Sequence, residues 1–147
     1  MDKDVPLAFF SYSRHDQEFV LKLAKDLRAG GAAVWLDQLD IRAGEKWDTA
    51  VGKALANCPR MLLVLSPASV DSDNVMDEVS FALEKHKLVI PVLYRDCEIP
   101  FRLRRVQYID ARTEYDRSLH ELLRMLGVES APGAELTLAT RVASACS

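Results

Sequence analysis

The sequence predicts a doubly wound α/β domain: a five-stranded parallel sheet of order 2-1-3-4-5 with helices on both faces. Three observations predict it. Short apolar runs alternate with helical patterns from 6 to 126. Two of those runs, 60–66 and 87–94, are apolar on both faces, the mark of central strands covered from both sides. Right-handed crossovers then leave few arrangements, of which 2-1-3-4-5 leads. The length of 147 residues agrees, being enough for one sizeable core but not for two.

Each element has its own signal. "PLAFFSYS" (6–13) opens as a strand and ends in polar residues. In "DQEFVLKLAKDLRAGG" (16–31), Phe19, Val20, Leu23 and Leu27 recur at helical spacing and Gly30–Gly31 stop the helix. "AAVWLD" (32–37) reads as the second strand and "QLDIRAGEK" (38–46) as a loop. "WDTAVGKALANC" (47–58) reads as a helix with Trp47, Val51, Ala54 and Leu55 inward. Strand "RMLLVLS" (60–66), loop "PASVDSD" (67–73) and helix "SDNVMDEVSFALEKH" (72–86) follow. "KLVIPVLY" (87–94) is a buried strand, "RDCEIPFRLRR" (95–105) is irregular, and "VQYIDA" (106–111) is a more polar edge strand. "EYDRSLHELLRML" (114–126) closes the fold as a helix. The predicted layout is flavodoxin-like, with the domain at 1–127 and an Ala/Ser/Thr-rich tail or linker at 128–147.

Bulk properties narrow the function. The net charge is −3, with 49% apolar and 28% charged residues, so no basic face points to nucleic acid. The longest apolar run, 61–65, is too short to span a bilayer, and "MDKDVPLAFF" lacks the features of a signal peptide. A cytoplasmic location is expected, with no membrane partner. Cys58, Cys97 and Cys146 are far apart and outside CxxC pairs, so neither a disulfide framework nor a zinc site is expected, and Cys58 reads as a small core residue. His15, His86 and His120 do not cluster at metal spacing. No metal is expected.

In a 2-1-3-4-5 sheet, ligands bind beyond the carboxyl ends of strands one and three, where strand order reverses. The loops there are 11–16 and 66–74, overhung by the loop after strand two. The helix at 72–86 starts directly after the second loop. At 100° per residue, Val75, Met76, Val79, Ala82 and Leu83 form its buried stripe and Glu78 lies on the border. By position alone Glu78 is either a solvated helix residue or a carboxylate aimed into the crevice. Ser72 or Asp73 is the expected helix cap. The turn Ser11-Tyr12-Ser13-Arg14 has no glycine, which excludes GxGxxG and P-loop phosphate binding and disfavours a flavin site. Ser11 and Ser66 stand where a phospho-acceptor domain needs acids.

Three boxes, in order, carry a family likeness: Phe9-Phe10-Ser11-Tyr12, Trp35-Leu36-Asp37 through Ile41 to Gly44, and Leu65-Ser66-Pro67 followed by a helix bearing Glu78. Together they resemble a TIR (Toll/interleukin-1 receptor) domain of bacterial type, over 7–126. The resemblance implies cleavage of NAD+ at the nicotinamide–ribose bond, giving nicotinamide and ADP-ribose or a cyclised ADP-ribose, with Glu78 as the catalytic glutamate. NAD+ is then a substrate, and no cofactor is implied. Phe10, Ser13 and Arg14 would line the first loop, with Arg14 meeting a phosphate. Asp37 and Leu39 would sit near the nicotinamide end, and Ser66 and Ser69 would flank the ribose. Asn74 would also bind substrate; it occupies the family's tryptophan position, four before the glutamate, with Phe81 as the aromatic expected to stand in for part of the lost surface. Arg42 and Gly44 belong to a loop that gates the site or docks on a neighbour. The resemblance further implies activation through TIR–TIR assembly into a homo-oligomer or filament, a fused or separate sensor module, and a place in anti-phage defence. Its alternatives are a non-catalytic TIR scaffold and a bacterial TIR that interferes with host signalling.

Overall fold

A computed structural model describes residues 7–128 of the chain. Residues 129–147, which include most of the expected tail and Cys146, lie outside the described residues. The strands are β1 (Ala8–Ser11), β2 (Val34–Trp35), β3 (Arg60–Leu65), β4 (Leu88–Leu93) and β5 (Ile109–Asp110). The helices are α1 (Gln17–Ala29), α2 (Asp37–Asp40), α3 (Trp47–Asn57), α4 (Pro67–Val70), α5 (Asp73–Glu84) and α6 (Tyr115–Met125). The sheet order is β2-β1-β3-β4-β5, as expected, and every pairing is parallel.

Strand pleating sends alternate side chains to opposite faces, which splits the core in two. Phe10, Leu62, Val64, Ile90 and Val92 pack with Val20, Leu23 and Leu27 of α1 and Leu122 and Leu123 of α6. Phe9, Met61, Leu63, Leu65 and Val89 pack on the other face with Ala54 of α3 and Val75, Val79 and Ala82 of α5. Burying each large aliphatic side chain contributes about 1.5–3 kcal/mol. Cys58 is fully buried, which pushes its thiol up to about 11, in keeping with a packing role.

Helix ends follow local chemistry. The Ser72 hydroxyl caps α5 by accepting from the Val75 amide. At the other end the Lys87 amide returns to the Ala82 carbonyl and the His86 amide to Leu83, with His86 in the left-handed region (φ 57°). At the end of α1, a Cβ on Gly30 would lie 2.9 Å from a Leu123 methyl, so glycine lets α6 approach. The expected β2 and β5 shorten to two residues each, because an edge strand has one neighbour to pair with. Two expected loops contain helical turns, α2 and α4. In α2 the Asp40 carboxylate accepts from the Leu36 amide and is held by Arg28, whose guanidinium also donates to the Val34 carbonyl at 3.0 and 3.2 Å. A short 3-10 turn, Phe101–Leu103, interrupts the expected irregular segment.

Candidate functional site

A cleft of about 170 Å³ lies beyond the carboxyl ends of β1 and β2, between the N-terminal turns of α3 and α5; β3, expected to share it, contributes no residue to its lining. Its inner wall is Glu78, projected from the second turn of α5 by the stripe that buries Val75 and Val79 against the sheet. Ser11, the last residue of β1, is fully buried, and its hydroxyl donates to Glu78 Oε1 at 2.6 Å. Burial pushes the Glu78 carboxyl up to about 7, with Asp37 and Asp77 adding to the rise and the Ser11 hydrogen bond opposing it. At neutral pH the group is therefore poised between its two protonation states, as a carboxylate that both carries charge and exchanges a proton must be.

A second carboxylate faces the same space. Asp37 opens α2 directly after β2, and its Oδ1 accepts from the Tyr12 hydroxyl at 2.6 Å and from the Gln38 amide at 2.9 Å. Gln38 Nε2 donates to the Tyr12 hydroxyl at 2.8 Å, and Arg14 Nη2 lies 3.8 Å from Asp37 Oδ2. Burial, then the bond to Asp37, keeps the Tyr12 hydroxyl protonated well above its usual range. The mesh fixes the orientation of Asp37 and leaves Arg14 as an exposed cation at the rim.

Aromatic rings supply the remaining walls. Phe9 and Trp35 stack at 5.3 Å with planes 7° apart, so one face of Trp35 is already covered. Trp47, the first residue of α3, is 45% exposed, and the Arg14 guanidinium sits 5.7 Å from its ring centroid.

Of the residues expected at a site, Glu78, Phe10, Ser13, Arg14, Asp37 and Asn74 all line this cleft. Ser13 is nearly buried, and its hydroxyl accepts from the His15 amide as the cap of a 3-10 turn. Ser66 and Ser69 do not line it, which corrects their expected place beside a ribose. Both are fully buried, each accepts from the other's backbone amide in a capping box around α4, and the Ser66 hydroxyl also donates to Asp16. Leu39 is 36% exposed on α2 outside the cleft lining, because a helical turn replaces the expected loop. Arg42 and Gly44 also stand apart. The Arg42 amide donates to Glu45 Oε1 at 2.8 Å and Gly44 has φ 90°, so both shape an exposed turn between α2 and α3. Phe81 does not reach the cleft; it carries the Lys85 ammonium at 5.8 Å instead.

Ser11, Tyr12 and Trp47 contribute without having been expected as site residues. Ser11 and Tyr12 were visible in the first box. Trp47, expected inward on its helix, is instead 45% exposed, because it stands at the first position of α3 with no preceding turn to cover it. Among the described residues there is no group of three metal-ligating side chains, and no helix is long and apolar enough to cross a membrane.

The sequence model of the TIR domain family matches residues 8–123. A probable 2' cyclic ADP-D-ribose synthase, BdTIR, of Brachypodium distachyon is 28% identical over 68 residues, 46% of this chain and 30% of that protein. The 2' cyclic ADP-D-ribose synthase BtTIR of Bacteroides thetaiotaomicron is 24% identical over 92 residues, 59% of this chain and 32% of that protein. The chain thus spans about a third of the length of these curated relatives. Among solved structures, the TIR domain of the Toll-related receptor TRR-2 from Hydra magnipapillata superposes with a TM-score of 0.71 at 24% identity, covering 81% of this chain and 96% of that one. The TIR domains in the activated Roq1 resistosome, which recognises the pathogen effector XopQ, give a TM-score of 0.52 at 16% identity over 95% of this chain and 98% of that one.

Proposed function

This chain is a member of the TIR domain family, and we propose that it cleaves NAD+ at the nicotinamide–ribose bond, with Glu78 as the carboxylate that carries the reaction. The observation behind the proposal is the desolvated Glu78, hydrogen-bonded to Ser11 and facing a cleft that Asp37, Arg14 and two tryptophans share. The two relatives named as cyclic ADP-D-ribose synthases support the same chemistry.

The chemistry suits a single carboxylate. Nicotinamide in NAD+ is a pyridinium, so the C–N bond breaks with its electron pair going to nitrogen and nicotinamide leaves neutral. No acid is needed to protonate it, unlike the two-carboxylate sugar hydrolases. Positive charge develops on the ribose as an oxocarbenium ion, which the ionised Glu78 stabilises across a poorly hydrated gap. Water, or a hydroxyl of the same ADP-ribose, then forms the new bond to the anomeric carbon. Its proton passes to the Glu78 carboxylate and on to solvent. A group poised near pH 7 can do both. Arg14, 67% exposed at the rim, is placed to meet a phosphate of the substrate.

The proposal includes activation by contacts between TIR domains, with the exposed turn holding Arg42 and Gly44 as the docking element. Occurrence of the fold in a resistosome supports it. A cytoplasmic place in anti-phage defence, under a fused or separate sensor, completes the reading. One observation favours a second reading, a non-catalytic scaffold: Asn74 occupies the position, four before Glu78, where the family resemblance implies a tryptophan.

The test is to incubate the concentrated full chain with NAD+ and follow nicotinamide by chromatography, with Glu78→Ala as control. Release that depends on Glu78 supports the enzyme. No release under conditions shown to yield oligomers leaves the scaffold.

A further inference from the structure

Resting on that reading, we infer that Trp47 is the platform for the pyridinium ring of the substrate, supplying from α3 the aromatic surface that Asn74 withholds on α5. Trp47 and Glu78 line the same cleft, and so does Asn74, whose short amide offers no ring. The volume admits only one end of a dinucleotide beside Trp47. About 170 Å³ is below the ~300–1,000 Å³ that drug-sized ligands fill, enough for one ring and part of its sugar. Glu78 acts at the carbon bonded to nicotinamide, so the ring sharing its cleft is the nicotinamide and not the adenine.

The electronics agree. An indole face attracts planar cations, and indole is the strongest aromatic partner for them. The Arg14 guanidinium stands over the Trp47 ring at 5.7 Å from its centroid, so that face already holds a planar cation. Arg14 is 67% exposed and within 3.8 Å of Asp37, free to leave the indole for Asp37 or a phosphate as the pyridinium takes its place. Trp35 is the weaker candidate, because its stack with Phe9 ties it to the core. A pyridinium on Trp47 is held while cationic and released once the bond breaks and the ring becomes neutral. The platform therefore favours substrate over the departing product.

Two readouts on the full chain test this, with Trp47→Ala and Trp47→Phe. In the first, 1-methylnicotinamide, a pyridinium that cannot be cleaved, is titrated by calorimetry. In the second, the kinetics of nicotinamide release from NAD+ are compared. We expect Trp47→Ala to weaken 1-methylnicotinamide and raise KM about tenfold, with kcat within about threefold. Trp47→Phe should keep most of the affinity. Unchanged affinity and KM in Trp47→Ala, while wild type cleaves NAD+, overturns the role of Trp47 and leaves the cleavage reading standing. If wild type cleaves nothing but binds 1-methylnicotinamide in a Trp47-dependent way, Trp47 stands and the cleavage reading falls. Trp47→Ala should unfold with the same midpoint as wild type, since the ring is 45% exposed; a fall in affinity alongside a fall in that midpoint counts against a specific platform.

Discussion

Replacing Glu78 by glutamine should stabilise the protein at alkaline pH and not at acid pH. In the fold the carboxyl rises from 4.5 to about 7, chiefly because burial penalises its charge. The folded state thus binds this proton more tightly than the unfolded chain does. Stability from that proton is fully present below about pH 4.5 and is lost as pH rises through about 7, so above 7 the ionised carboxylate is a liability. The full difference corresponds to about 3 kcal/mol. Water still reaching the half-buried group trims this to about 1–3 kcal/mol. Glutamine is neutral at every pH, has nearly the same shape, and keeps an oxygen to accept from the Ser11 hydroxyl. Urea unfolding of both proteins at about pH 8 and about pH 4.5 reads the difference directly. We expect a gain of about 1–3 kcal/mol at the higher pH and less than about 0.5 kcal/mol at the lower. An equal effect at both values, or none at pH 8, would refute the claim that Glu78 is held desolvated. A real gain would mark a site that gives up stability for chemistry.

Other outcomes follow from the same contacts. Ser11→Ala removes the one hydrogen bond that lowers the Glu78 carboxyl, so the rise of kcat/KM with pH, centred near 7 in wild type, should move to higher pH; a profile that stays put removes Ser11 from the positioning of Glu78. Ser66→Ala strips the α4 cap and leaves a buried Asp16 oxygen without its donor; the substitution should lower the unfolding free energy by about 1–3 kcal/mol while KM for NAD+ hardly changes, as chemical denaturation beside kinetics will show. Leu62→Ala, at the centre of β3 and fully buried, should cost about 2–5 kcal/mol by the same denaturation. Arg28→Ala frees Asp40 and the Val34 carbonyl and should make the β2–α2 turn exchange its amides faster, read by hydrogen exchange.

The sheet and its order were legible because they rest on periodicity and on the few right-handed ways of joining parallel strands. Periodicity also put Glu78 on the border of the α5 stripe, and the fold argument put that border at the crevice. What it could not give was the direction of short polar side chains. Ser66 and Ser69 lie at the expected strand end, yet their hydroxyls are held by each other's backbone and by Asp16, a partner 50 positions away. Leu39 lies outside the cleft because Asp40 and Arg28 wind 37–40 into a helical turn. The spacing that buries Ala54 fails for Trp47 in the first turn of α3, where the ring reaches toward Arg14. The resemblance points to Phe81, on the same helix, to stand in for the ring that Asn74 lacks, yet Phe81 stays outside the cleft while Trp47 of α3 lines it.

Cleavage of the nicotinamide–ribose bond is the role proposed for Glu78. Wild type and Glu78→Gln, at one protein concentration and in one verified assembly state, are incubated with NAD+, and nicotinamide is quantified over time. Wild type should release nicotinamide steadily and the glutamine variant at least about a hundredfold more slowly, with its fold intact. Equal release by the two proteins would contradict it.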